Sequence, residues 1–103
     1  MTTNARLDAF KAMVAKNPNN ALARFGLANE AAKAGDHALV VEQLTAYLGM
    51  YEDEGNGYLR LGDSLVVLGR MEEARAAWTR GVEAAEKHGH AGMAEEIRQR
   101  LNG

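Results

Sequence analysis

No cysteine occurs in these 103 residues, and the only proline is Pro18. The missing cysteines exclude a disulfide framework, a thiol nucleophile and a zinc site built on thiolates. Aromatic residues are scarce at 6%, while alanine is abundant. There is no basic excess. A net charge of -2 argues against a nucleic-acid partner, whose phosphates call for a positive footprint. No window reaches the ~18 consecutive apolar residues of a membrane span. The start, MTTNARLDAF, lacks the basic and then apolar stretch of a secretory signal, so a cytoplasmic protein is expected. What remains is an ordinary globular composition, 47% hydrophobic and 25% charged, of a size that fits a single domain.

The residues that are present repeat. Gly35 and Gly69 lie 34 apart, as do Leu27 and Leu61, and Ala28 and Gly62. Two series run three times at that offset: Phe10, Leu44 and Trp78, and Val14, Leu48 and Val82. Each set keeps one size class, and the turn glycine is among them. Self-similarity at such a period points to stacked supersecondary units.

Between these markers the apolar period is helical. Leu7, Phe10, Met13 and Val14 form one stripe. Leu22, Phe25, Ala28 and Ala32 form a second, and Leu39, Val40, Leu44 and Tyr47 a third. Leu61, Leu65 and Leu68, then Met71, Ala74, Trp78 and Val82, then Met93, Ile97 and Leu101 complete the set. No stretch alternates at period two, so no strand is expected. Pro18 stops one helix, and Asn20 can cap the next through its side-chain oxygen. Gly35 and Gly69 suit the left-handed turn that ends a helix, and Asp36 can cap the helix after it. Six helices are predicted, over 3–16, 20–34, 37–51, 55–68, 71–88 and 91–101.

A 34-residue helix–turn–helix unit of this kind resembles the tetratricopeptide repeat. Read from Ala21, the first unit supplies Leu27 and Ala28 in its helix A, the turn glycine Gly35, and Leu44 as the bulky residue of helix B. Read from Gly55, the second supplies Leu61, Gly62, Gly69, Ala74 and Trp78 in the same register. Residues 3–18 resemble a lone helix B, with Phe10 as its bulky residue and Pro18 at the junction. The chain departs from the pattern at Arg24, where helix A usually has a large apolar residue. It departs again at Val40 and Tyr47, which replace small residues, so looser packing is expected at Tyr47. The resemblance implies an all-α fold, a right-handed α-α superhelix of antiparallel hairpins. Its parts would be a half repeat (3–18), repeat 1 (21–54), repeat 2 (55–88) and a capping helix (91–101), together one domain over 1–103. A cap needs a polar outer face, which Glu95, Glu96, Arg98, Gln99 and Arg100 can supply. Glu96 and Arg100 also make a favourable i,i+4 pair.

Few residues of the chain are placed for chemistry. Ser64 is the only serine, and the adjacent Asp63 points about 100° away on a helix, which rules out a nucleophile–base pair. His88 and His90 form a His-x-His pair, but a metal needs a third ligand and an orienting shell. They read as a polar turn, and His37 as a first-turn surface residue. Glu52, Asp53 and Glu54 are consecutive acids without the ligand spacing of a calcium loop, so they read as solvated. No phosphate-binding glycine loop is present. No catalysis, metal or cofactor is expected.

The resemblance implies a function of another kind. In that family the A helices line a concave groove that holds a peptide or helix of a partner protein. Carried over residue by residue, the groove positions are Leu22, Phe25, Asn29 and Ala32, then Asn56, Leu59, Asp63 and Val66. Phe25 and Leu59 have an alternative role, packing into neighbouring helices. Some relatives clamp the C-terminal carboxylate of chaperones with Lys, Asn and Arg. Here Phe25 stands where a lysine is needed and Asp63 would repel the carboxylate, so that ligand is not expected. Asp63 suits instead a basic or amide-bearing residue beside an apolar segment. The expected function is thus a non-catalytic protein-interaction module with no nucleic-acid or membrane partner. The alternative is a structural unit that homo-oligomerises through the groove or the terminal helix.

Overall fold

A computed structural model describes residues 4–103 of the chain. Among them run α1 (Ala5–Lys16), α2 (Ala21–Lys33), α3 (His37–Met50), α4 (Asn56–Val67), α5 (Met71–Lys87) and α6 (Ala91–Asn102). The described residues contain no strand. The predicted ends hold to within one or two residues. Thr3, placed in the first helix by its pattern, lies outside the described residues.

The ends are where side-chain chemistry placed them. The Asn20 and Asp36 side chains accept from the backbone N–H groups of Ala23 and Leu39, capping α2 and α3. Asn4 does the same for α1 through Leu7. Gly35 and Gly69 adopt φ of 77° and 76°, the left-handed region that a Cβ disfavours. Behind Gly35, the Asp36 N–H reaches the Ala31 carbonyl at 2.9 Å. Behind Gly69, the Arg70 N–H reaches Leu65 at 2.8 Å. These bonds satisfy carbonyls that the helix end would otherwise leave open.

The chain divides into two compact units, 1–51 and 52–103. In the first, α2 packs on both α1 and α3. Its core holds Val14, Ala23 and Leu27, with Leu7, Phe10 and Leu39 packed around them. The Phe10 ring fills the space above Gly26, where any Cβ would overlap it. Arg24 takes the place of the usual apolar residue by bonding instead. Its Nε donates to the Pro18 carbonyl at 2.8 Å and its terminal nitrogen to Gln43 at 3.1 Å, and Gln43 is only 4% exposed. The looser packing expected at Tyr47 does not occur. Tyr47 is buried, 4.9 Å from the Phe25 ring and 5.4 Å from Tyr51, so the larger side chain fills the space as part of an aromatic stack.

In the second unit α5 packs on α4 and on α6. Trp78 is buried, with its indole against Gly62 and its N–H aimed at the Leu59 carbonyl. Leu59, Leu65, Ala74, Ala77, Ala85, Ala94 and Ile97 are buried with it. The stripes read from sequence are narrower in the structure. Met13, Leu68 and Met71 are exposed at their edges, because an apolar arc only as wide as the neighbouring helix can be covered.

Candidate functional site

The residues singled out as a partner-binding face divide between α2 and α4. On α2, Leu22 is 76% exposed. Phe25 and Asn29 are half-buried on the same side of the helix, and Ala32 is exposed. The buried residues of α2 are Ala23, Leu27, Ala28, Glu30 and Ala31. At 100° per residue, Leu22 and Asn29 therefore turn largely away from the core, while Phe25 lays its ring 4.9 Å from that of the buried Tyr47 and so takes part in packing against α3. On α4, Asn56 and Asp63 are half-buried and Val66 is exposed. Leu59 differs. It is 8% exposed and belongs to the core of its unit, where its carbonyl receives the Trp78 N–H. The packing role is the one it takes, because α5 approaches α4 closely at this turn.

Asp63 is not an open carboxylate. It accepts from the Arg100 Nε of α6 at 2.9 Å. This bond, with the charge behind it, raises the Arg100 pKa above its ordinary value. Arg100 also lies 3.8 Å from Glu96, the i,i+4 pair read from sequence. Arg60 stands one turn from Asp63 and donates to Asn56. Arg100 thus bridges the carboxylates of Asp63 on α4 and Glu96 on α6.

The three consecutive acids are not simply solvated. Asp53 is 6% exposed, and one of its oxygens accepts from the backbone N–H groups of Gly55 at 2.8 Å and Gly57 at 2.7 Å. It caps α4 from outside the helix, a role hidden in sequence by the two exposed acids beside it. Glu52 pairs with Lys87 at 3.3 Å and His88 at 3.0 Å. The hydrogen bond and charge of Lys87, followed by the bond from His88, hold the Glu52 carboxyl below its ordinary pKa. Glu54 lies 2.5 Å from His90. His88 and His90 are therefore more than a polar turn: each faces a carboxylate 36 residues earlier in the chain. That shared separation was the available signal.

No set of three or more His, Asp or Glu side chains among the described residues is placed to hold a metal ion. Ser64 is buried on α4. No helix among the described residues is long and apolar enough to cross a membrane.

Paired antiparallel helices, glycine turns in register and small residues at close approaches define a helical-repeat protein. A TPR repeat-containing protein of Pseudomonas aeruginosa is 31% identical over 91 residues, covering 88% of this chain and 87% of that one. No family model matches the chain. On that relationship, and with the six helices above, the chain belongs to the tetratricopeptide-repeat family. Membership places it among protein-interaction modules, a family that is generally non-catalytic.

Proposed function

We propose that the chain binds a peptide or helix of a partner protein through the exposed face of an A helix, α2 in one unit or α4 in the other. One observation carries this reading. Leu22 leaves three quarters of its surface in water on a well-capped helix, beside half-buried Phe25 and Asn29. An exposed apolar anchor with a polar neighbour on a rigid helix is the usual form of a peptide- or helix-recognition surface. On α4 the corresponding residues are Asn56, Asp63 and Val66. Leu59 supports that face from beneath and does not contribute surface to it.

The test is chemical crosslinking and capture from the source cell with the wild-type chain and with Leu22→Glu, Val66→Glu and Glu83→Lys. The first two substitutions fall on the proposed faces, and the third lies on the exposed side of α5. A partner lost with Leu22→Glu or Val66→Glu and kept with Glu83→Lys supports the reading. A partner kept by all three overturns it. Mass measured against concentration separates the alternative. A tight dimer broken by Leu22→Glu would mean that the face serves self-assembly.

A further inference from the structure

Two asparagines of the chain are followed by glycine, Asn56 and Asn102. That pair is the one most open to deamidation, because glycine has no side chain to hinder its backbone nitrogen and reaches dihedrals that other residues avoid. At Asn56 the reaction is intramolecular. The Gly57 nitrogen loses its proton and bonds to the Asn56 side-chain carbonyl carbon. The bond from that carbon to Nδ2 breaks, and the nitrogen leaves with the proton as ammonia. Water then opens the five-membered succinimide at either carbonyl, which gives aspartate or isoaspartate and one new negative charge. Asn56 is the first residue of α4, and Gly57 beside it is buried. The Gly57 N–H, whose nitrogen is the nucleophile, donates to the Asp53 carboxylate at 2.7 Å. We propose that Asn56 is a latent deamidation site and that Asp53 guards it by holding the attacking nitrogen.

Two effects make the guard. A proton hydrogen-bonded to a carboxylate is harder to remove, because the amide anion left behind faces a like charge. Ring closure also requires Asn56 and Gly57 to leave their helical dihedrals, which breaks the bond to Asp53 and strands a buried N–H. Deamidation of Asn56 therefore runs through local opening of the first turn of α4, at a rate proportional to the open fraction. Asn102 is the contrast. It is exposed at the last position of α6, and the Gly103 N–H meets a neutral carbonyl, that of Gln99, at 3.0 Å. The products at Asn56 differ in their fate. An aspartate there is favoured by the helix dipole and stands one turn from Arg60, which donates to the Asn56 side-chain oxygen at 3.4 Å. An isoaspartate lengthens the backbone by one carbon and interrupts the helix. Either product places a charge on the α4 face. Its effect on a partner rests on the function proposed above, but the modification itself does not.

Peptide mapping by mass spectrometry reads the modification at each asparagine. The full chain is incubated in mildly alkaline buffer, both folded and in urea above its unfolding midpoint, as wild type, Asp53→Ala and Asp53→Asn. In urea Asn56 should convert at the same rate in all three, which gives the unguarded value. Folded wild type should convert Asn102 readily and Asn56 far more slowly than in urea. Loss of a helix-capping side chain raises local opening about two- to thirtyfold, so the Asn56 rate should rise by that factor in folded Asp53→Ala. Asn102 should be unchanged. Asp53→Asn keeps an acceptor without the charge and should fall between the two. Circular dichroism establishes that each variant is folded, and if Asp53→Ala is not, Asp53→Asn decides. A folded wild type that converts Asn56 as fast as the unfolded chain overturns the proposal. So does an Asn56 rate that stays level or falls in the folded variants, since Asp53 would then be a bystander or the base that activates the nitrogen. Because none of these readings uses a partner, failure here leaves the peptide-binding proposal standing, and failure of peptide binding leaves the guarded site standing.

Discussion

The indole of Trp78 occupies the space that any side chain on Gly62 would need. The two residues sit on facing helices of one hairpin, α4 and α5, and their closeness sets how near the helices approach. Replacing Gly62 with alanine should favour the isolated helix by about 1 kcal/mol. The same methyl group must displace a rigid, buried indole, an overpacking that costs ~1–3 kcal/mol. The net result expected in urea unfolding is destabilisation. Gly49 supplies the contrast. It also lies within a helix, but a Cβ there meets nothing within 4 Å. Gly49→Ala should raise the urea midpoint while Gly62→Ala lowers it. A pair of variants shifting in the same direction would contradict this account.

Arg24 and Gln43 show how a departure from the family pattern is absorbed. Restoring an apolar residue with Arg24→Leu would remove the donor to a glutamine that is 4% exposed. Leaving a buried polar group short of a partner costs about 1–3 kcal/mol. The single variant should therefore be less stable than wild type although it moves toward the common pattern. Gln43→Leu added to it removes the stranded amide, and the double variant should recover most of the loss. The coupling is read from a double-mutant cycle in urea, and additive effects would show that the two residues act independently.

These cases mark what the sequence made legible. The period of 34, the turn glycines and the small residue opposite Trp78 are spacing facts, and spacing survives in a string of letters. The Asn20 and Asp36 caps were legible for the same reason, since a cap acts within four residues. Leu59 stayed open between groove and packing, because a helical period says which side a residue is on, not how far the neighbouring helix reaches. Asp63 read as an open acid because its partner, Arg100, is 37 residues away. Asp53 looked like one of three equivalent acids, and only the path of the chain turns it inward between two outward neighbours.

Acid should loosen the first unit through Glu30. Its side chain is 7% exposed and lies 3.2 Å from Lys33 and 3.4 Å from Arg6 of α1. Burial alone, the largest single influence, would raise its pKa. The bonds and charges of Lys33 and Arg6 together outweigh burial and hold it below the ordinary value. A carboxyl depressed in the folded state contributes stability above its unfolded pKa, and that contribution is lost as pH falls through the folded value. Thermal melts at about pH 7, where the contribution is complete, and about pH 3.5, below the ordinary glutamate range, should show a drop for wild type. Glu30→Gln should drop less over the same interval. Glu52 and Glu73, also depressed through Lys87 and Arg70, keep some acid sensitivity in the variant. An equal drop in both proteins would remove Glu30 from the explanation.

Asp53 is the residue whose loss should most damage the entrance of α4. Gly55 stands at the N-cap and has no side chain with which to cap the helix. Asp53 supplies that oxygen from two residues earlier, to two N–H groups at once. Removing a capping side chain costs ~0.5–2 kcal/mol. The upper part of that range applies here, because the N–H groups are buried and water cannot take over both bonds. Asp53→Asn keeps an acceptor and should recover part of the loss. Glu54→Ala, one residue on and exposed, should change the urea midpoint far less at neutral pH. If Asp53→Ala and Glu54→Ala lowered stability equally, the capping role assigned to Asp53 would be wrong, and the acids would act only through their combined charge.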